Sequence, residues 1–242
     1  MTKLLIAMLL GSGIAVCAYA GVKEGTAAYR TNNFDVALKE LRPAAQEGDA
    51  AAQNMLGAMY QYGKGVPQDY VQAVDWYKKA AMQGETVAQY NLGFMFKNGL
   101  GVKQDYMQAK DWYLKAATKG DPLAMNNLGS IMDLLNEPIQ AMNWFRKSAS
   151  LGNARAMFNI AGKFCGEREN QQVQDLILCY SLRKLVATIE PVKKAIDARD
   201  KVAGKLSKPQ IAEGDSLMLE LQKEGNFLAA LDLRLKKTVN SK

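Results

Sequence analysis

The chain has 242 residues, and 48% of them are hydrophobic, which argues against general disorder. Histidine is absent, so catalytic triads that need an imidazole are excluded, together with the commonest type of metal ligand. The formal net charge is +7, and most of the excess lies between Arg183 and Lys242, where thirteen basic residues accompany eight acidic ones.

The first twenty residues have the pattern of a secretory signal. Lys3 precedes an apolar stretch from Leu4 to Val16, and Ala18-Tyr19-Ala20 supplies the small residues that precede a cleavage site. We therefore predict cleavage after Ala20 and a mature protein that is periplasmic or secreted. The alternative is a lipoprotein attached through Cys17, although valine fits the position before a lipidated cysteine poorly.

The segment after residue 48 repeats itself at a shift of 36 residues. Fifteen of the positions that define the unit between Ala52 and Gly84 recur unchanged between Ala88 and Gly120. Periods of this length are typical of helical repeat proteins. The positions that we expect to be structural are Leu56, Gly57, Trp76, Tyr77, Leu92, Gly93, Trp112, Tyr113, Leu128, Gly129 and Trp144.

Each unit predicts a pair of helices. Apolar residues spaced three and four apart mark the first helix, and Gly63-Lys64-Gly65 ends it, because glycine permits a left-handed turn. Asp69 then begins the second helix, since its carboxylate can accept unpaired backbone N–H groups. We expect this second helix to bury Trp76 and Tyr77.

The outer units are less regular. We predict a leading half-repeat over residues 21–48, four repeats over 49–190 with the last two degenerate, and a C-terminal helical cap over 191–242. The third repeat lacks the glycine loop and is four residues shorter, with Asn136 and Pro138 predicted to start its second helix. Ser207 and Gln210 form a capping-box pattern in the cap.

This pattern resembles the Sel-1-like repeat family, a relative of tetratricopeptide repeats. The motif comprises Leu56-Gly57, Tyr60, Gly63-x-Gly65-Val66, Asp69, Ala73, Trp76-Tyr77, Lys79-Ala80-Ala81 and Gly84. The resemblance implies an all-α fold in which helix pairs stack into an α/α solenoid, a right-handed superhelix. Stacked repeats offer an extended surface, so we expect a protein or peptide partner.

Six residues are candidates for partner binding. Asn91, Asn127 and Asn159 occupy one position in three successive units, where their amides would hold an extended peptide or tie neighbouring repeats together. The aromatic residues Tyr90, Phe94 and Phe158 lie at variable positions of first helices, where they would anchor a partner or pack between repeats.

A catalytic alternative rests on Ser181-Leu182-Arg183-Lys184, which matches the Ser-x-x-Lys motif of penicillin-interacting enzymes. The nearest approach to the second element of such sites is Lys237-Thr238-Val239, which lacks the required glycine. We therefore predict no catalytic residue, no metal and no cofactor.

Cys165 and Cys179 are the two cysteines of the predicted mature chain. Cysteine-rich members of the family often bridge the two helices of a unit, and an exported chain permits oxidation. However, the spacing here is not the one those members use. A separation above about 7 Å between the Cα atoms would forbid the bond, so the sequence leaves this disulfide open.

We therefore expect a non-catalytic scaffold or adaptor that binds a protein or peptide in the cell envelope or outside the cell. Two alternatives are a cell-envelope hydrolase acting on wall glycopeptide or β-lactams, and a secreted factor that engages host cells. We expect no nucleic-acid partner. The basic C-terminal part is either a solvated helical face or a contact for an acidic partner or anionic surface.

The predicted signal can be tested by intact-mass measurement of the protein isolated from cells. We expect a chain that begins at Gly21, because cleavage follows the Ala18-Tyr19-Ala20 pattern. A lipid-bearing chain that begins at Cys17 would support the lipoprotein alternative. A chain that begins at Met1 would contradict export.

Overall fold

A computed structural model of the protein describes residues 21–165, 172–223 and 225–240. The predicted signal segment and Cys17 lie outside these residues. The described residues form helices and connecting turns without any strand, so the predicted all-α repeat fold is confirmed. The chain divides into two compact units, one ending at Lys119 and the other beginning at Gly120.

The helices of each unit follow one another with short connections. The first unit contains helical residues 21–30 (α1), α2 (Phe34–Glu47), α3 (Ala50–Tyr62), α4 (Tyr70–Met82), α5 (Thr86–Asn98) and α6 (Tyr106–Thr118). The second unit contains α7 (Pro122–Leu134), α8 (Pro138–Ser150), α9 (Ala154–Phe164), α10 (Val173–Ile189), α11 (Lys193–Ala203), α12 (Lys208–Gln222) and α13 (Phe227–Asn240). The most extensive packing joins α3 to α4, α5 to α6, α7 to α8 and α9 to α10.

Side-chain caps start the second helices of the two regular repeats, as predicted. The Asp69 carboxylate accepts hydrogen bonds from the backbone N–H groups of Val71 and Gln72, at 2.9 and 3.0 Å. Asp105 does the same one repeat later. These bonds satisfy donors that have no partner within the helix, and therefore fix where each helix begins.

A glycine against an aromatic ring joins the two helices of a repeat. A Cβ atom added to Gly57 on α3 would lie 2.7 Å from the Tyr77 ring on α4, which is closer than a real contact. Gly93 has the same relation to Tyr113, and Gly129 has it to Phe145. The three rings are fully buried, so the missing side chain is what lets them pack against the facing helix.

The loop between the helices of a regular repeat also needs glycine. Gly101 has a φ of 69°, and a Cβ atom there would lie 2.2 Å from the backbone oxygen of Tyr70 at the start of α4. In the third repeat Asn136 takes the left-handed conformation, with a φ of 61°. The expectation that Asn136 starts the second helix is therefore wrong: it makes the turn, and Glu137 precedes the helix.

The predicted burial of the repeat tryptophans is also wrong. Tyr77 is fully buried, whereas Trp76 beside it is only partly buried. The Lys79 ammonium lies 4.0 Å from the centre of the Trp76 ring, and Lys115 covers Trp112 in the same way at 3.9 Å. The tyrosine faces the partner helix, and the tryptophan lies at the edge under a lysine that shields one face.

A disulfide bond joins Cys165 at the end of α9 to Cys179 in α10. The two Cα atoms are 5.4 Å apart, well inside the range that permits the bond. Cys179 is fully buried and occupies the place that tryptophan has in the regular repeats. Closing a loop of 14 residues adds about 3 kcal/mol in the chain-entropy account, so the bond reinforces the most degenerate repeat.

The different burial of Tyr77 and Trp76 predicts different costs of truncation. Tyr77→Ala removes a fully buried ring and the 2.6 Å hydrogen bond from its hydroxyl to Gln61. We therefore expect the free energy of unfolding to fall by about 3–5 kcal/mol. Trp76→Ala removes a half-buried ring and one cation–π contact, and we expect about 1–3 kcal/mol. Urea unfolding followed by circular dichroism measures both, and an equal or larger loss for Trp76→Ala would contradict this assignment.

Candidate functional site

Two of the three candidate asparagines bond to an amide of the preceding repeat. In the first unit the Asn91 amide donates to the side-chain oxygen of Asn54 at 3.0 Å, which links α5 to α3. In the second unit the Asn159 amide donates to Asn126 at 2.9 Å, which links α9 to α7. The amides of Asn91 and Asn159 therefore each tie one first helix to the preceding one.

In each pair the donor lies at the predicted asparagine position, and the acceptor lies at the position just before it in the preceding repeat. Asn126, which lies next to the predicted Asn127, is the acceptor for Asn159, and its own amide lies 3.4 Å from the Asn127 oxygen. Sequence reasoning missed Asn54 and Asn126 because the corresponding position in the second repeat is Tyr90, which hides the periodicity.

Two of the candidate aromatic residues contribute to packing within the first unit. The Tyr90 ring lies 5.7 Å from the ring of Tyr113, in a tilted arrangement. Phe94 is partly buried against the apolar cluster that α4 and α5 form together. Both side chains therefore have a structural role, and neither is a freely exposed anchor.

Phe158 differs because it lines a pocket in the second unit. The pocket has a volume of about 450 Å³ and is formed by α7, α9 and α10 together with the turn into α11. It contains the Asn126–Asn159 amide pair, apolar side chains and charged groups at its rim. The lining residues are Asn126, Ala154, Arg155, Phe158, Asn159, Val186, Glu190, Val192, Lys194 and Ala195.

A neighbouring groove of about 530 Å³ shares two of these residues, Phe158 and Asn159, and continues along α7 and α9 as far as Lys163. At a rise of 1.5 Å per residue, the stretch of α9 from Ala154 to Lys163 is about 14 Å long. An extended peptide covers that distance with about four residues. We call the pocket and groove together the α7–α9 site.

A stacked cation supports the Phe158 wall of this site. The guanidinium carbon of Arg183 on α10 lies 3.4 Å from the centre of the Phe158 ring. Arg183 is buried, and its Nη1 has no hydrogen-bond partner. This burial lowers the pKa of Arg183 from its ordinary value. Lys194 at the rim lies 6.0 Å from the centre of the same ring.

The charge of the pocket is mainly positive. Arg155 and Lys194 are exposed at its rim, and Glu190 is the acidic residue among those that line it. Sequence reasoning identified Phe158 and Asn159 but missed these three charged residues. The available signal was the excess of basic residues after Arg183, which does not indicate which cations converge.

The serine and lysine of the Ser-x-x-Lys motif make contacts that stabilise the fold. Ser181 is fully buried, and its hydroxyl donates to the backbone oxygen of Ile177 at 2.7 Å. Lys184 forms an ion pair with Asp215 of α12 at 2.6 Å, and the Tyr180 hydroxyl donates to the same carboxylate at 2.9 Å. A nucleophile must reach its substrate, and Ser181 has no exposed surface, so this motif joins α10 to α12 instead of forming an acylation site.

Two properties of the described residues concern other classes of function. Those residues contain no cluster of three or more acidic or cysteine side chains placed to hold a metal ion. In the same part of the chain, none of the helices combines the length and apolar character that crossing a membrane requires.

Comparisons with known proteins point to one repeat family. The model of the Sel1 repeat matches residues 50–85, 86–121 and 122–153. These are the first three of the four predicted repeats, and the fourth, over residues 154–190, stays a prediction. No curated protein sequence matches the chain.

The chain is also similar to several solved structures. A Sel1 repeat protein from Oxalobacter formigenes is 26% identical, with 76% of this chain and 82% of that chain covered and a TM-score of 0.57. Pseudomonas aeruginosa pilF is 18% identical over 84% and 99% of the chains, with a TM-score of 0.52, and supports the fold alone. The protective antigen c5321 of uropathogenic Escherichia coli is 22% identical over 90% and 63%, with a TM-score of 0.41.

The ion pair of Lys184 and Asp215 predicts a pH-dependent stability. Burial raises the pKa of Asp215, but hydrogen bonds from Lys184 and Tyr180 outweigh it and hold the pKa below its ordinary value. The carboxylate therefore stabilises the fold above pH 3.8, its ordinary pKa, and this stabilisation is lost as the pH falls through the lowered value. Hydrogen bonding to Asp215 raises the pKa of Lys184, so its contribution is lost only as the pH rises through that raised value.

We expect Asp215→Asn to lower the urea midpoint by a constant amount between about pH 5 and 9, and the difference from wild type to shrink below about pH 4. Asp197→Asn, which removes an exposed acid of α11, is the matched control and should show no such dependence. A difference that persists unchanged to pH 2 would contradict the assigned ion pair.

Proposed function

We propose that this chain, which contains three matches to the Sel1 repeat between residues 50 and 153, acts as a non-catalytic scaffold that binds a partner protein at the α7–α9 site. The observation that carries the proposal is the pocket around Phe158 and Asn159, which combines an aromatic wall with an amide pair. A peptide backbone needs hydrogen-bonding groups, and its side chains need apolar surface, so both requirements are met within one site.

The shape of the site favours an extended peptide segment of the partner. The pocket and the adjoining groove run along α9 for about four residues of extended chain. One N–H of the Asn159 amide is used by Asn126, and the amide nitrogen carries a second N–H that can donate to a peptide carbonyl. The apolar walls of Phe158, Val186 and Val192 then receive alternate side chains.

We also propose that the protein works in the cell envelope or outside the cell. The support is the signal pattern of Lys3, the apolar stretch and Ala18-Tyr19-Ala20. The hydrolase alternative lacks geometric support, because Ser181 is buried and Lys184 is held by Asp215. No observation favours a host-cell partner over one in the envelope.

The binding proposal is tested by capture from envelope extract on the immobilised mature protein, with two matched tryptophan variants. Val192 is 56% exposed and lines the pocket, so Val192→Trp obstructs the site without disturbing the core. Val173, which is 45% exposed at the start of α10 and does not line the pocket, provides the control Val173→Trp.

We expect the same partner to bind the wild type and Val173→Trp, and to bind Val192→Trp at least about fivefold more weakly, since one obstructed anchor commonly costs over 1 kcal/mol. The captured partner should keep its mass during prolonged incubation. Equal binding by Val192→Trp would refute the α7–α9 site, and conversion of the partner into a product would refute the non-catalytic role.

A further inference from the structure

Two helices begin at the pocket, and their first turns carry basic residues where helices usually carry acidic ones. Arg155 lies in the first turn of α9, and Lys193 and Lys194 lie in the first turn of α11. Neither first turn contains an acidic residue. The N-terminus of a helix carries a partial positive charge, so cations there reduce stability and anions increase it. Two such helix starts contribute to the same pocket, which makes it favourable for a negative group.

The start of α11 also lacks the usual side-chain acceptor. Its N-cap residue is Val192, which has no side-chain oxygen to accept the first backbone N–H groups. By contrast, the Asn153 side chain caps α9. The pocket lining includes Val192, Lys194 and Ala195, so the uncapped turn forms one wall of it.

Arg183 provides an independent observation. Its guanidinium is buried behind the Phe158 wall, and Nη1 has no hydrogen-bond partner. Arg183 precedes Val186 and Glu190 by three and seven residues on α10, a spacing that places all three on one face of the helix. Val186 and Glu190 line the pocket. Arg183 itself lies behind the lining, so its buried charge acts on the pocket by adding to the positive potential that an anion there would meet.

We propose, on the basis of the scaffold function above, that the pocket selects an internal segment of the partner in which an acidic side chain follows or precedes an apolar one. The carboxylate binds between Arg155 and Lys194, and the apolar neighbour packs on Phe158 and Val192. The second N–H of Asn159 holds the backbone of a continuing chain. Glu190 repels further negative charge, so the site takes one acidic residue and not a run of them.

The test uses four short probe peptides and the full mature protein. Three have blocked ends and the central sequence Leu-X-Leu between Ser-Gly and Gly-Ser, with X as glutamate, glutamine or lysine. The fourth contains glutamine but ends in a free carboxylate after the second leucine. Binding is measured from changes in the amide NMR signals of the ¹⁵N-labelled protein, which also locate the site.

We expect the glutamate peptide to shift the signals of Asn159, Lys194 and Ala195. The blocked glutamine peptide should bind about tenfold more weakly, and the lysine peptide more weakly still, because the carboxylate meets two cations near two helix starts. Raising the salt concentration from 50 to 500 mM should weaken binding of the glutamate peptide and leave binding of the glutamine peptide almost unchanged.

Matched charge variants assign the effect to the pocket. Lys194→Gln should weaken the glutamate peptide about threefold to fivefold, the usual contribution of one exposed ion pair, without changing the glutamine peptide. Lys208→Gln removes an exposed charge from the first turn of α12, outside the pocket, and should change neither.

Equal affinities for the blocked glutamate and glutamine peptides would overturn the proposal, as would signal changes outside the pocket lining. If the glutamine peptide with the free end binds as tightly as the glutamate peptide, the site recognises a chain terminus and the proposal is wrong. Any of these results, combined with loss of the partner by Val192→Trp, would leave the scaffold function standing. Retention of the partner by Val192→Trp would refute partner binding at the α7–α9 site independently.

Discussion

The close approach of the two helices in each of the first three repeats depends on a glycine that faces an aromatic ring. Gly57 against Tyr77 is the first example, and Gly93 with Tyr113 and Gly129 with Phe145 repeat it. Any side chain at these glycines would meet the ring at less than 3 Å. The buried ring supplies a large apolar contact, and the rest of the repeat, from the helix caps to the turn glycines, brings this pair into register.

The same packing appears once more with different connectivity. In the second unit a Cβ atom on Gly214 of α12 would lie 2.6 Å from the ring of Tyr180 on α10. Here the first helix of the fourth predicted repeat carries alanine in place of glycine, and a later helix provides the close approach. The Cys165–Cys179 bond holds α9 to α10. Helix α10 therefore packs on both α9 and α12 although the glycine of the repeat motif is missing from α9.

The α7–α9 site results from this irregularity. Four equivalent positions on the first helices hold Asn54, Tyr90, Asn126 and Phe158. An asparagine there accepts a hydrogen bond from the next repeat, whereas Tyr90 packs on Tyr113. Phe158 instead stacks on Arg183 of α10, and the turn from α10 into α11 forms the facing wall of the pocket. A site with its own charge pattern thus arises where the regular repeat ends.

The sequence by itself determined the repeat and its local structure. The 36-residue period is visible directly in the sequence. The caps at Asp69 and Asp105 and the glycine turns were predictable because each depends on residues within one or two helical turns of one another. Only the tertiary structure decided that Tyr77 and not Trp76 is buried, that Asn126 pairs with Asn159, and that Cys165 reaches Cys179. The tertiary structure also decided which of the basic residues after Arg183 line the same pocket as Arg155 and Phe158. These outcomes depend on how separate helices are placed, and a period in the sequence does not specify which side of a ring or amide faces its neighbour.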